Sequence, residues 1–179
     1  MSKVYTTAVV IIPPEKIWET IQKIRRTYDR QFHRWMPHIT LLYPFKPQSY
    51  FKELDSLFSF ACKQIESFQI SFHQFKSFNH GKQRYMLWLN PEPVNPIKVL
   101  QNSLMEIVPD CNDVNLHKNG FTPHLSVGQI AGKNNLISVM DKLQTNWNSL
   151  EFKVSSIYFI ARENQKPSEF KIKKEFYLK

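Results

Sequence analysis

Residues 37–45 read PHITLLYPF, and residues 121–129 read FTPHLSVGQ, so one phrase, Pro-His-aliphatic-hydroxyl-aliphatic, is written at 37–41 and again at 123–127. Successive side chains of a strand point to opposite faces, and residues two apart share a face. If both phrases are strands, each sets an imidazole beside a hydroxyl, His38 with Thr40 and His124 with Ser126. The aliphatic residues between them turn to the other side. A chain that builds the same half-site twice is read as a duplication, and the rest of the sequence is ordered around that reading.

The flanking segments agree with it. Upstream, VYTTAVVII (4–12) is an apolar and β-branched run closed by Pro13-Pro14, the pattern of a strand buried on both faces. Ile17, Ile21, Ile24 and Tyr28 then recur at helical spacing. After the first phrase, Phe51, Leu54, Leu57, Phe58, Ala61, Cys62 and Ile65 mark a second helical stripe. FQISFHQFKSF (68–78) and RYMLWLN (84–90) read as a hairpin with its turn at 79–83. NPEPVNP (90–96) is the expected crossover between halves. Helices are expected over 95–108 and 135–147, on either side of the second phrase. Strands are expected at 151–161, read as one, and at 170–178. The order is mixed α/β, and helices packed on sheets with a shared centre would bring the two phrases together.

Composition sets the limits. A chain of 179 residues suits one domain, since single cores are built from about 100 to 200 residues. An apolar share of 42% against 22% charged residues excludes a disordered chain. No stretch reaches the ~18 apolar residues of a membrane span, and no cleavage-site pattern follows the apolar start, so a soluble intracellular protein is expected. Two cysteines, Cys62 and Cys111, make no disulfide framework and fit a reducing compartment. The net charge of +9, with Lys23, Arg25, Arg26, Arg30 and Arg34 clustered ahead of the first phrase, favours phosphate-bearing partners, although such a run is ordinarily a solvated face. Only four glycines occur and none forms a phosphate-cradling loop, which excludes a P-loop nucleotide hydrolase.

Two imidazoles with ordinary pKa values near 6.5 can divide acid and base work at neutral pH. Flanking a phosphodiester, one activates the attacking oxygen and the other protonates the departing one. Thr40 and Ser126 can then donate to the non-bridging oxygens. The diester carries a single negative charge, so no metal is strictly required. A lone strand histidine beside a threonine is ordinarily structural; the paired occurrence carries the functional reading.

With both motifs quoted, the sequence resembles the two-histidine (2H) phosphoesterase superfamily, which includes bacterial 2′-5′ RNA ligases and cyclic nucleotide phosphodiesterases. The resemblance implies an α+β (mixed α/β), bilobal, pseudo-twofold fold over residues 1–179, with lobes near 1–90 and 91–179 that exchange strands. Two antiparallel-rich sheets would form a central groove with helices outside. It implies that His38, Thr40, His124 and Ser126 line the groove, that no cofactor or metal is used, and that the partners are RNA ends or small nucleotides with 2′,3′-cyclic or 2′-5′ phosphodiester bonds. It places the acid for the departing 2′ oxygen at His38 and the activation of water at His124, although the symmetry of the site lets the roles exchange. A monomer is expected, in the cytoplasm and not at a membrane, with the nucleus left open. The chain departs from the family pattern at Gln129, where many relatives carry Arg, and at Tyr43-Pro44-Phe45.

Tyr43, Phe45 and Phe121 lie close to the motifs and are expected to stack on substrate bases, while Tyr85 and Trp88 are assigned to the core. Asp110, Cys111, Asp113 and His117 collect metal-capable groups without a zinc spacing. Two other readings stand beside the enzyme. A module of the same fold could bind nucleotide or RNA without turnover. A basic RNA-associated domain would depend steeply on salt and would dispense with both histidines.

Overall fold

The structure, a computed structural model, describes residues 2–116, 120–165 and 167–179. Strands are β1 (Thr7–Ile11), β2 (Ile39–Leu42), β3 (Phe68–Asn79), β4 (Arg84–Glu92), β5 (Leu125–Ala131), β6 (Leu150–Val154), β7 (Ser156–Ala161) and β8 (Lys171–Tyr177). Helices are α1 (Trp18–Tyr28), α2 (Phe51–Cys62), α3 (Asn95–Ile107) and α4 (Lys133–Thr145). Among the described residues none of these helices is long and apolar enough to cross a membrane.

The strands form two four-stranded antiparallel sheets, ordered β2-β1-β7-β8 and β5-β4-β3-β6. Each takes two strands from before residue 93 and two from after it. The duplicated phrases open β2 and β5, which are edge strands of different sheets and touch each other. The helices cross over: α1, which precedes β2, lies on β5, while α3, which precedes β5, lies on β2. Gly128 marks how closely α1 approaches, since a Cβ there would meet the Tyr28 Cβ at 2.5 Å.

One apolar core holds the arrangement together. It takes Ile21 and Ile24 from α1, Leu54 and Phe58 from α2, Leu100 and Leu104 from α3, and Leu136 and Val139 from α4. Burial of such a side chain contributes about 1.5–3 kcal/mol. Leu57, expected on the inner stripe of α2, is 52% exposed. A second, smaller cluster covers the other face of the first sheet, where Ala8, Val10, Ile160 and Phe170 meet Trp35, Met36, Tyr43 and Tyr158.

Residues 151–161, expected as one strand, are two. Val154 ends a strand paired with β3, and Ser156 begins one paired with β1 and β8. The run is apolar on both sides of Ser155 because each part enters a different sheet. Periodicity alone does not register such a transfer.

Candidate active site

His38 and His124 stand immediately ahead of β2 and β5. Each follows a proline, whose ring fixes its own φ and holds the residue before it extended. The carbonyl two residues back therefore lies in the same place in both copies. His38 Nδ1 is 2.7 Å from the Met36 carbonyl oxygen, and His124 Nδ1 is 2.8 Å from that of Thr122. A carbonyl only accepts, so Nδ1 donates in both rings and Nε2 is the nitrogen that takes and releases the proton. The proline of the repeated phrase thus sets the tautomer.

The walls around the two rings differ. Trp35 stacks on His38 with centroids 4.6 Å apart and planes 17° apart. Trp35 in turn stacks on Phe170 at 3.8 Å and meets Tyr43 edge-on. His124 meets Phe78 and Trp88 edge-on, at 5.0 and 5.7 Å. Trp88 is a cross-strand partner of both Ser126 on β5 and Lys76 on β3, so these three share the face of the second sheet that carries the motif. Trp88 is buried, as assigned, and one edge of its ring system also meets His124.

Thr40 pairs with Val10 and shares the face of the second cluster. Its hydroxyl makes no hydrogen bond to a described residue. Ser126 Oγ donates to the Met86 sulfur at 3.1 Å, a weak acceptor. Neither hydroxyl is tied to a strong internal partner, which leaves both able to donate to an oxyanion.

Behind the rings lies an ion pair missed by the reading of residues 23–34 as a solvated basic face. Arg25 is 2% exposed. Its Nε donates to Asp29 Oδ2 at 2.8 Å, one Nη to Gln22 Oε1 at 2.9 Å, and the other to the Trp35 carbonyl at 2.9 Å. Asp29 Oδ1 accepts from the Gln31 amide and from Gln129 Nε2, and Gln129 Oε1 accepts from the Arg30 amide. Gln129, the departure beside the second motif, therefore joins β5 to the end of α1. A signal for Arg25 exists in the sequence, since it continues the Ile17, Ile21 stripe by one turn and has a carboxylate at i+4.

Burial pushes the His38 imidazole down to about 4, and the Arg25 and His124 charges press in the same direction. The Met36 carbonyl and Asp29 oppose them. At neutral pH these surroundings keep His38 uncharged. The contact between β2 and β5 brings the strands that the two motifs open side by side.

Two of the three aromatic expectations are corrected. Phe45 is fully buried in the main core, because a two-way backbone bridge to Val4 turns it inward among Phe51, Phe58 and Phe159. Phe121 is 9% exposed in the same core. Tyr43 remains half-buried beside Trp35, its phenol raised by burial while Arg162 and Arg34 pull it down. Of the metal-capable loop, His117 lies outside the described residues. Asp110 is bonded to Lys46 and Asp113 to Lys3, and burial raises the Cys111 thiol to about 11. Among the described residues no three His, Cys, Asp or Glu side chains are grouped to hold a metal ion.

Two interlocked antiparallel sheets with a histidine and hydroxyl motif at their junction define the chain as a two-histidine phosphoesterase fold of the LigT type. The family model described as the 2′-5′ RNA ligase superfamily matches residues 13–166, and the chain belongs to that superfamily. Among solved structures it is similar to TT0787 of Thermus thermophilus, with a TM-score of 0.63 and 16% identity over 97% of both chains. It is also similar to E. coli LigT complexed with 3′-AMP, with a TM-score of 0.61 and 15% identity over 97% of this chain and 98% of that one. The same LigT has been solved with ATP and with NADP+. A comparison with curated protein sequences returns no match.

Proposed function

We propose that this protein is a metal-independent phosphodiesterase that hydrolyses 2′,3′-cyclic or 2′-5′ phosphodiester bonds in nucleotides or at RNA ends. The observation that carries the reading is the matched pair of Nδ1-to-carbonyl hydrogen bonds, which presets Nε2 as the proton-transfer atom of both His38 and His124. Binding alone gives no reason to fix two tautomers alike. The nucleotides bound to LigT support a nucleotide-type substrate.

In hydrolysis one Nε2 removes a proton from water, the water oxygen bonds to phosphorus, and the bond to the departing ribose oxygen breaks as the other imidazolium delivers a proton to it. The roles exchange in the reverse, ligating direction. The lowered pKa of His38 favours it as the base and leaves the acid to His124, the reverse of the order implied by family resemblance. Thr40 and Ser126 donate to the non-bridging oxygens, where charge is held in the transition state.

The test uses purified protein with a chelator and a panel of 2′,3′-cyclic nucleotides, 2′-5′ oligoadenylate and RNA with a cyclic end. Loss of one proton-transfer group costs about 10²–10⁴-fold, so His38→Ala and His124→Ala should each fall by that much. The acidic limb of kcat/KM should lie below the ordinary histidine range. Turnover that survives both substitutions overturns the mechanism, and nucleotide binding without turnover on the whole panel favours a binding module.

A further inference from the structure

Beside the His38 half of the site is a cavity of about 940 Å³, lined by Arg30 and Arg34 from the segment after α1, by Arg162 just after β7, and by Lys171 and Lys173 from β8. Glu163 and Glu169 also line it, and Glu169 lies 3.6 Å from Lys171. Arg30, Arg34, Arg162 and Lys173 form no ion pair with a described residue. Arg162 donates to the Glu163 and Tyr5 carbonyls and to Ser168 Oγ, yet its buried Nε has no acceptor among the described residues.

A run of ring contacts links the site to the lining of the cavity. His38 stacks on Trp35 at 4.6 Å, Trp35 on Phe170 at 3.8 Å, and the Arg162 guanidinium lies 5.6 Å from the Phe170 centroid. The Phe170 amide also donates to the Arg34 carbonyl, which joins the two segments that carry the cations. On the other side Arg30 borders a second cavity that contains Arg84 and Met86, the residue holding the Ser126 hydroxyl. A nucleoside 2′,3′-cyclic monophosphate has only its reacting phosphate to offer, and the two motifs already receive that group. Four cations without ion-pair partners among the described residues, at the far end of this run of rings, match further phosphates on the same ligand.

We infer that this cavity is a subsite for the phosphodiester backbone of an RNA strand whose end reacts between the histidines, so that the preferred substrate is an oligonucleotide and not a mononucleotide. The inference rests on the reading of the motifs as a phosphodiesterase site, and it predicts behaviour in binding that does not need turnover.

A short fluorescent oligoribonucleotide with a 3′-phosphate, a 3′-mononucleotide and NADP+ are titrated against wild type over a range of salt, and against Arg34→Gln/Lys173→Gln. Each single-strand phosphate contact contributes about 0.7 to the slope of log K against log salt, so the double variant should lose about 1.4 from the oligonucleotide slope. The mononucleotide slope should not change. Arg34→Lys/Lys173→Arg should restore the oligonucleotide slope, and it controls for a folding defect. An unchanged oligonucleotide slope overturns the subsite, as does a loss seen with NADP+ alone. Turnover of a strand with a cyclic end and of a cyclic mononucleotide is measured in parallel. If neither is turned over while the slope still shifts, the enzymatic reading fails and the subsite stands. If both are turned over through the histidines and the slope is fixed, the reverse holds.

Discussion

The two halves of the site share one hydrogen bond and differ in almost everything around it. In each, an X-Pro-His sequence returns Nδ1 to the carbonyl two residues back, and a tryptophan touches the ring. On the His38 side the tryptophan lies face to face and a buried guanidinium stands behind it, whereas on the His124 side two aromatic edges meet the ring. The common bond decides which nitrogen titrates, and the unlike walls adjust how readily it does so. Duplication alone would yield two equal imidazoles, while in-line displacement at phosphorus needs an unequal pair at any moment.

The largest effect is expected from breaking the support behind the first half. Asp29 is the only carboxylate bonded to Arg25 among the described residues, and it also anchors Gln129 of the second half. Removing one partner of a buried ion pair costs about 3–5 kcal/mol, because the other charge is left uncompensated. Asp29→Ala should lower the urea midpoint accordingly, while an exposed control, Glu19→Ala at the Arg26 pair, should leave it nearly unchanged. Equal effects from the two would show that the Arg25 pair is no stronger than a surface contact.

A smaller effect separates the two hydroxyls. Loss of an oxyanion donor costs about 10²–10³ in kcat, and both Thr40→Ala and Ser126→Ala should fall in that range on the preferred substrate. Ser126 must first leave the Met86 sulfur, whereas Thr40 has no bond to a described residue to give up. Met86→Leu removes the competing acceptor at similar volume. It should leave kcat near the wild-type value and lower KM slightly, and a loss of kcat comparable with that of Ser126→Ala would mean that the sulfur positions the hydroxyl.

Much of this architecture is legible in the sequence, for reasons tied to particular residues. Ile21, Ile24, Leu100 and Leu104 announce their helices because one face of each helix is buried, and the motifs announce themselves by being written twice. What stays hidden depends on contacts between distant segments. Arg25 is told from its exposed neighbour Arg26 only by its place on the Ile17, Ile21 stripe, since the carbonyl of Trp35 and the approach of β5 that bury it are not written near it. Phe45 and Phe121 look like site residues because they are close to the motifs in sequence, while their rings turn inward. The cationic cavity joins residues 30–34 with 162–173, a pairing no local pattern contains.

The smallest expected effect is the most direct measure of the asymmetry between the histidines. His38 titrates at about 4 in the folded chain against an ordinary value of 6.5. Between those values the unfolded chain binds more protons than the folded one, so stability rises with pH across that window. The contribution is complete above about 6.5, declines as the pH falls toward 4, and is level below that. At 1.36 kcal/mol for each pKa unit, and with the ring in partial contact with solvent, the amount is on the order of 2 kcal/mol. Urea unfolding of wild type and His38→Asn from pH 7 to 4 should give curves that diverge, with the wild type losing stability more steeply and the difference confined to this window. Parallel curves would place His38 at an ordinary pKa and return the choice of base to the symmetry of the two motifs.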